Sequence, residues 1–334
     1  MKKQTIAVIS GWFGMGETNE YRHAPDNLSS HLLALFSALE EKYDVIYSRK
    51  LIKKRKDFLF ELHLNYQFGL TSSPKICIEL EDECNRPLNK LIKYSKYVLI
   101  FSTNRGLYKS YPNFVWYRYP RDFLSKKKFP KIRNCKFIMI ASNRNIYIHK
   151  KRSMYNKRHE LISFFEKNYP NDLCLFGKGW NNVFLKANVI SILLKFFRQK
   201  FNLNKKVALQ SWKGLLEKKG DVMASYDFSI CLENVFDIDG YVSEKIYDSM
   251  FYGCIPIYIP SSHKNLDLIP DNLFINPNEF ESLDEMVIYC KSLSEEDKNL
   301  WRSRMDDFLV KNRKKLSSKE FTNRIMNAIN GALL

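Results

Sequence analysis

Short apolar runs alternate with longer segments of helical periodicity along most of this 334-residue chain. The first run, Thr5–Ser10, is followed at 27–42 by an amphipathic pattern whose apolar residues recur three or four positions apart. Such alternation is typical of α/β proteins with parallel sheets, because a helix usually makes the crossover between parallel strands. The pattern therefore predicts two successive αβα domains. The predicted strands are 5–10, 44–48, 75–80 and 97–101 in the first series, and 137–141, 173–176, 228–232 and 255–259 in the second.

The chain length also favours two domains, at about one domain per 150 residues. We place an N-terminal domain at 1–130, a C-terminal domain at 131–310 and a basic amphipathic helix or tail at 311–334. Open parallel sheets bind ligands at the carboxyl ends of their strands. The sequence therefore predicts a ligand cleft between the carboxyl ends of the two sheets.

Charge narrows the class of partner. Lys and Arg number 54 against 36 Asp and Glu, a net charge of +18 that predicts an anionic partner. Nucleic acid, an anionic membrane face and a phosphate-rich small molecule all satisfy that requirement. The best candidate for a membrane span, 249–262, is interrupted by Gly253, Pro256 and Pro260, so we expect none. Seven cysteines without a C-x-x-C pair argue against a zinc site and a disulfide framework, and predict a reducing, cytoplasmic compartment.

The most informative stretch is 226–260, YDFSICLENVFDIDGYVSEKIYDSMFYGCIPIYIP. A buried strand there delivers Glu233 and Asn234 at its carboxyl end, where α/β sheets bind ligands. A polar loop and the N-cap candidate Ser243 follow.

The helix after Ser243 opens with Glu244 and Lys245. A cation in the first turn disfavours the helix, but it suits an anion such as a diphosphate bound at the free N–H groups. Glu244 can accept two ribose hydroxyls. The alternative is that both residues are ordinary solvated charges at a helix start.

The order of these residues resembles the donor-binding signature of the α-1,3/4-fucosyltransferases, glycosyltransferase family 10, in its bacterial form. That signature runs F-x-x-x-x-E-N, a short loop, Y-[VI]-[ST]-E-K, a helix, then G-x-x-P-[IV]-[YV]. The resemblance covers 214–280 and is weaker over 136–180. The matching residues are Phe228, Glu233, Asn234, Tyr241, Val242, Ser243, Glu244, Lys245, Gly253, Pro256, Ile257 and Tyr258.

The resemblance implies a GT-B fold, with two Rossmann-like domains facing a central cleft, and an inverting, metal-independent transfer from GDP-fucose. It assigns the diphosphate to Tyr241 and Lys245 and the ribose to Glu244. Ser243, Glu233 and Asn234 are placed on the donor side. The family's phosphate-binding arginine is matched by Arg158, with Arg152 and Arg144 as alternatives. Without the resemblance, any one of these arginines in a basic region is more often a surface residue than a ligand contact.

Inversion needs a base that deprotonates the acceptor hydroxyl. The family's base follows a strand of the N-terminal lobe, where this chain has four acids in the segment 79–83. We choose Glu81 as this base, with Glu83 and Glu79 as alternatives. The non-catalytic alternative is that the segment 79–83 is a solvated acidic turn.

No metal or other cofactor is expected. Asp237 and Asp239 mimic the D-x-D of manganese-dependent transferases, but they lie in the variable loop of the signature, and the six histidines have no metal-type spacing. On the acceptor side we place Trp12, Phe13 and Glu17, in and after a glycine-containing turn that follows the first strand; the alternative is a tight left-handed turn with no binding role.

The resemblance thus implies fucosyl transfer from GDP-fucose to a glycan hydroxyl in an α-1,3-type linkage, and we expect a role in lipopolysaccharide or surface polysaccharide synthesis. The alternatives are another GDP-linked deoxyhexose or heptose donor, and a basic nucleic-acid-binding protein without catalysis. No nucleic-acid motif is present, so we expect no nucleic acid. The expected partners are a GDP-sugar and an oligosaccharide or glycolipid acceptor. Two segments fit peripheral contact with the anionic inner face of a membrane: an apolar helix flanked by cations at 180–212, and the tail at 311–334. The alternative for 180–212 is a helix packed in the core, and the alternative for 311–334 is a helix that braces the other lobe.

Overall fold

In the computed structural model the described residues are 3–10, 30–55, 57–66, 68–80, 94–123, 133–143, 152–180 and 209–333. The chain divides into two compact units. The first comprises Met1–Leu124, Ile238–Glu244 and Lys311–Leu334, and the second comprises Ser125–Asp237 and Lys245–Val310.

The first unit contains a six-stranded parallel sheet in the order β2-β1-β3-β4-β5-β6. The parallel pairing confirms the α/β prediction and places the carboxyl ends of β4 and β5 at one edge of the sheet. β3 and β6 were not among the predicted strands. The strands are β1 (Thr5–Ser10), β2 (Asp44–Ile46), β3 (Glu61–Leu64), β4 (Lys75–Ile78), β5 (Leu99–Ser102) and β6 (Phe114–Trp116), and the helices between them are α1 (Ser30–Lys42), α2 (Arg49–Lys54) and α3 (Arg105–Ser110).

The helix at the end of the chain, Ser318–Leu333, belongs to the core of the first unit. Phe321, Ile325 and Ile329 are spaced four apart on one helix face, and all three are buried with the apolar residues of α1 and β3. The Asp122 carboxylate accepts from the Ser318 amide at 2.9 Å, which satisfies a free donor at the start of this helix. Of the two expectations for the tail, the structure shows the helix that braces the N-terminal lobe.

The second unit contains a four-stranded parallel sheet in the order β10-β9-β7-β8. All four strands lie where the apolar runs predicted them. Every residue of β9 is buried, as expected for a strand covered on both faces. The strands are β7 (Asn134–Ile140), β8 (Leu173–Phe176), β9 (Tyr226–Ile230) and β10 (Ile255–Ile257), and the helices are α4 (Tyr155–Asn168), α5 (Gly220–Met223), α6 (Glu244–Phe251), α7 (Leu283–Ser292) and α8 (Glu295–Leu316). The first residue of α6, Glu244, and the last turns of α8, 311–316, are assigned to the first unit.

A buried ion-pair cluster holds α8 against β9. The Lys298 ammonium lies 3.0 Å from the Asp227 carboxylate, and Arg302 pairs with the other oxygen of the same carboxylate. Asp227 and Lys298 are both buried, so each charge depends on the other for compensation. Among the described helices, none combines the length and hydropathy that crossing a bilayer requires.

Candidate functional site

The carboxyl end of β9 leads directly into Leu232, Glu233 and Asn234, and Arg158 reaches this point from the first turn of α4. One guanidinium nitrogen, Nη2, donates to the Leu232 carbonyl at 3.0 Å, to the Glu233 carbonyl at 2.9 Å and to Asn234 Oδ1 at 2.9 Å. The guanidinium carbon also lies 4.4 Å from the centroid of the Tyr155 ring. The structure therefore brings the predicted arginine to the predicted Glu-Asn pair.

Arg158 keeps hydrogen-bonding capacity in reserve although its side chain is buried. A guanidinium has five N–H donors, and Nε and Nη1 of Arg158 make no hydrogen bond to the described residues. An arginine with two free nitrogens suits a phosphate, whose oxygens accept from two donors at once.

Lys245, the second residue of α6, reaches the same point. Its ammonium lies 3.3 Å from Asn234 Oδ1 and 3.7 Å from Glu233 Oε2. Asn234 Oδ1 thus accepts from both Arg158 and Lys245, which draws two positive charges together at the end of β9. The side chain of Lys245 is 21% exposed, so solvent reaches it.

Glu233 is fully buried beside these cations. Its Oε1 accepts from the Tyr258 hydroxyl at 2.9 Å. Tyr258 follows β10 directly. The pKa of its hydroxyl is raised well above the usual value, mainly by burial and to a lesser extent by the adjacent charge of Glu233. The hydroxyl therefore stays protonated and donates to the carboxylate. Sequence reasoning matched Tyr258 to the last position of the signature but gave it no role at the site.

The remaining predicted donor residues, Tyr241, Ser243 and Glu244, lie in the segment Ile238–Glu244 of the first unit. Tyr241 and Ser243 are buried, and Glu244 is half-buried at the start of α6. Arg158, Glu233, Asn234 and Lys245 thus belong to the second unit, and Tyr241, Ser243 and Glu244 belong to the first.

The two aspartates of the D-x-D-like sequence have different partners. Asp239 lies 2.6 Å from Arg105 Nη2 within the first unit, whereas Asp237 lies 3.8 Å from Arg152 within the second. Across the described residues, no three His, Cys, Asp or Glu side chains are grouped so that they would hold a metal ion. Arg152, one of the alternative phosphate-binding residues, is the partner of Asp237 in this pair.

Glu79 directly follows β4 at the carboxyl edge of the first sheet. Its side chain accepts from the Ser102 hydroxyl at the end of β5, and its carbonyl accepts from Tyr117 at 2.7 Å. The other candidates for the base, Glu81 and Glu83, lie outside the described residues, as do Arg144 and the predicted acceptor-side residues Trp12, Phe13 and Glu17.

Comparison with known proteins decides the family of this region. The sequence model of the glycosyltransferase family 10 (fucosyltransferase) C-terminal domain matches residues 201–322. These residues are a family 10 domain. The match includes Glu233, Asn234 and Lys245, and it confirms the family that the signature predicted for this region.

Two curated relatives share this region. The α-(1,3)-fucosyltransferase FucT of Helicobacter pylori is 37% identical over 78 residues, which are 23% of this chain and 16% of that protein. The α-(1,4)-fucosyltransferase of Arabidopsis thaliana is 31% identical over 74 residues, 22% of this chain and 18% of that protein. The alignments thus span less than a fifth of either relative. The bacterial relative agrees with the predicted bacterial type.

Solved structures extend the likeness to the fold. A crystal structure of α1,3-fucosyltransferase with GDP has a TM-score of 0.56 at 16% identity and covers 99% of this chain and 90% of that one. The T4 phage glucosyltransferase BGT in complex with UDP-glucose has a TM-score of 0.53 at 13% identity, with coverage of 97% and 99%. These neighbours have the GT-B fold, so the predicted fold class is confirmed.

Proposed function

We propose that this chain is an inverting, metal-independent glycosyltransferase that moves L-fucose from GDP-fucose to a glycan hydroxyl. The observation that carries the proposal is the convergence of Arg158 and Lys245 on Asn234 Oδ1 at the carboxyl end of β9. Asn234 and Lys245 lie within the family 10 domain. A nucleoside diphosphate sugar presents the anionic group that such a pair of cations would bind.

The two cations would hold the donor and stabilise the departing nucleotide. Arg158 offers Nε and Nη1 to phosphate oxygens, and Lys245 offers its ammonium, while the single carboxylate of Glu233 leaves the group with net positive charge. Cations held beside the leaving diphosphate lower the barrier to transfer, because they stabilise the negative charge that develops on the diphosphate in the transition state. We assign Tyr241 to the diphosphate as well, Glu244 to the ribose and Ser243 to the donor side, following the signature.

In the proposed reaction, the acceptor oxygen bonds to the anomeric carbon as the bond from that carbon to the diphosphate breaks. GDP leaves with the bonding electrons, and the acceptor proton passes to a carboxylate. We assign that carboxylate to Glu81, with Glu83 and Glu79 as the alternatives, and the acceptor side to Trp12, Phe13 and Glu17.

We expect no metal requirement, since Arg158 and Lys245 would supply the positive charge that a divalent ion supplies in D-x-D transferases. Asp239 supports this expectation because its carboxylate is already paired with Arg105. Adding a chelator should leave the rate of transfer unchanged.

The proposed acceptor is a lipopolysaccharide or surface polysaccharide precursor, modified in an α-1,3-type linkage. The Helicobacter pylori relative, itself an α-(1,3)-fucosyltransferase, supports the linkage. The proposed location is the cytoplasm, with peripheral contact to the inner face of the membrane. The net charge of +18 and the exposed basic end of α8, formed by Arg313, Lys314 and Lys315, support contact with an anionic surface.

A screen of nucleotide sugars tests the proposal. GDP-fucose should raise the melting temperature more than UDP- or CMP-sugars and should be hydrolysed slowly or transferred to a glycan acceptor. Stabilisation by a different GDP-linked deoxyhexose or heptose would keep the donor site and change the sugar. Stabilisation by no nucleotide sugar, together with salt-sensitive DNA or RNA binding, would contradict the proposal.

A further inference from the structure

Glu233 poses an electrostatic problem at the proposed donor site. Its carboxylate is fully buried at the end of β9, close to the cations that would bind a diphosphate. A buried negative charge costs free energy and repels an anionic ligand, so charge alone would favour a neutral residue here. The contacts of Glu233 indicate what it does instead.

Tyr258 fixes one end of this carboxylate. Its hydroxyl donates to Glu233 Oε1 at 2.9 Å, and the residue is only 1% exposed. The Tyr258 amide donates to the Ile275 carbonyl at 3.0 Å, and its ring meets the Phe274 ring at a centroid distance of 5.3 Å. A rigid, buried aromatic side chain has few rotamers to lose, so it holds its hydroxyl in one place.

The other end of the carboxylate faces Lys245. Glu233 Oε2 lies 3.7 Å from the Lys245 ammonium, which also contacts Asn234 Oδ1 at 3.3 Å. A lysine side chain loses rotamer entropy when a ligand immobilises its ammonium, so binding is weaker if the ammonium is not already held. Two fixed oxygens beside the ammonium remove part of that cost before a ligand arrives.

We infer that Tyr258 is a positioning residue that orients Glu233, and that Glu233 in turn holds the Lys245 ammonium ready for the donor diphosphate. This inference rests on the proposed function, because it takes the diphosphate as the ligand of Lys245. It gives Glu233 the role of an internal partner of Lys245 instead of a contact to the donor.

A double-mutant cycle on the full chain tests it, with GDP as the probe and its Kd measured by isothermal titration calorimetry. Tyr258→Phe removes the hydroxyl and keeps the ring, and should raise the Kd for GDP about three- to tenfold. In a Lys245→Ala background the same change should alter the Kd less than about twofold, because the residue it acts through is gone. An equal effect in both backgrounds would overturn the inference.

Tyr66→Phe is the matched control. Tyr66 is another buried tyrosine, in the first unit, and its hydroxyl has no hydrogen-bond partner among the described residues. This variant should leave the Kd for GDP unchanged.

A second variant covers the case in which Tyr258→Phe does not fold. Glu233→Gln keeps an acceptor for Tyr258 but loses the charge that holds Lys245, so it should also raise the Kd for GDP. A lower Kd would mean that repulsion is the main effect of Glu233, and would overturn the inference. Failure of the wild-type chain to bind GDP would instead overturn the proposed function, and the inference with it.

Discussion

Arg105 makes three polar contacts with Asp239, two from its guanidinium and one from its backbone amide. Nε and Nη2 of Arg105 lie 2.7 Å and 2.6 Å from Asp239 Oδ1, and the Arg105 amide donates to the Asp239 carbonyl at 2.7 Å. Both residues belong to the first unit, although Asp239 lies in a sequence segment flanked on both sides by the second. This pair therefore anchors the segment Ile238–Glu244, which carries Tyr241, in the first unit.

Asp239→Asn should loosen that segment. The pair is partly buried, with side chains 20% and 14% exposed, so we expect a cost of about 1.5 kcal/mol, between the values for exposed and fully buried pairs. Amides of residues 239–243 should then exchange with deuterium about tenfold faster by mass spectrometry. Asp237→Asn is the control, since its pair with Arg152 is exposed and 3.8 Å long and asparagine tolerates its φ of 60°. Equal exchange in the two variants would contradict the anchor.

Gly240 is expected to resist substitution for two separable reasons. Its φ is +90°, and an added Cβ would lie 2.6 Å from the Thr103 carbonyl oxygen and 2.7 Å from Trp116 Nε1. Gly214 has a similar φ of +99°, but a Cβ there would meet nothing within 4 Å. Gly214→Ala should therefore cost about 1 kcal/mol in backbone strain alone, while Gly240→Ala should cost about 3 kcal/mol or more. Urea denaturation of both variants measures the difference, and equal midpoints would show that the contacts of Gly240 are unimportant.

One of the two strands that the sequence did not predict, β3, lacks the apolar pattern of a buried strand. β3 (Glu61–Leu64) carries two polar residues in a fully buried strand, so no apolar run marks it. Glu61 and His63 satisfy each other at 2.9 Å, and Glu61 also accepts from the Thr71 amide at 2.6 Å. Such compensation depends on tertiary contacts and leaves no periodic pattern in the chain. Each of the eight predicted strands contains several apolar residues close together, which is the signal that β3 lacks.

The residues of the candidate site also fall into those that local sequence patterns predict and those that only tertiary contacts reveal. Glu233, Asn234 and Lys245 were predictable because strand end and helix start follow one another in sequence. Arg158 was chosen by resemblance from a basic region, and only the fold shows it beside Asn234. The contact of Tyr258 with Glu233 joins two neighbouring strands, β10 and β9, so the order of strands in the sheet had to be known first.

Stability of the first unit should fall between neutral and mildly acidic pH because of His31. Burial lowers the pKa of His31 to about 4; Asp122 and Glu244 raise it by less, and Arg121 lowers it further. In the unfolded chain the pKa of His31 is about 6.5, so below pH 6.5 the unfolded state binds a proton that the folded state does not. The stabilisation from neutral His31 is therefore complete above pH 6.5 and is lost as the pH falls toward 4. From about pH 7.5 to pH 5 the loss should be about 2 kcal/mol.

Urea denaturation of the wild type and His31→Phe at the two pH values measures that contribution. Phenylalanine can preserve the edge contact that His31 makes with the Phe321 ring at 5.1 Å, but it cannot titrate. The variant should therefore lose about 2 kcal/mol less than the wild type on acidification. Identical pH dependence in the two proteins would rule out His31 as the cause.

Glu81→Gln should slow transfer at least about a hundredfold, because the amide cannot accept the acceptor proton. GDP affinity should stay within about twofold, since we assign no donor contact to this residue. Glu83→Gln and Glu79→Gln are the companion variants, and both should retain most of the activity. Loss of transfer in one of these and not in Glu81→Gln would move the base to that position.

The most direct test of the account is the affinity for GDP of the wild type and of Lys245→Ala. Calorimetric titration should show GDP binding by the wild type, with weaker binding of UDP, and a Kd at least about tenfold higher in the variant, or about 1.4 kcal/mol. Lys291→Ala, which removes an exposed lysine paired with Asp172 in the same unit, should bind like the wild type. No GDP binding by the wild type, or an unchanged Kd in Lys245→Ala, would contradict a donor diphosphate held at the end of β9.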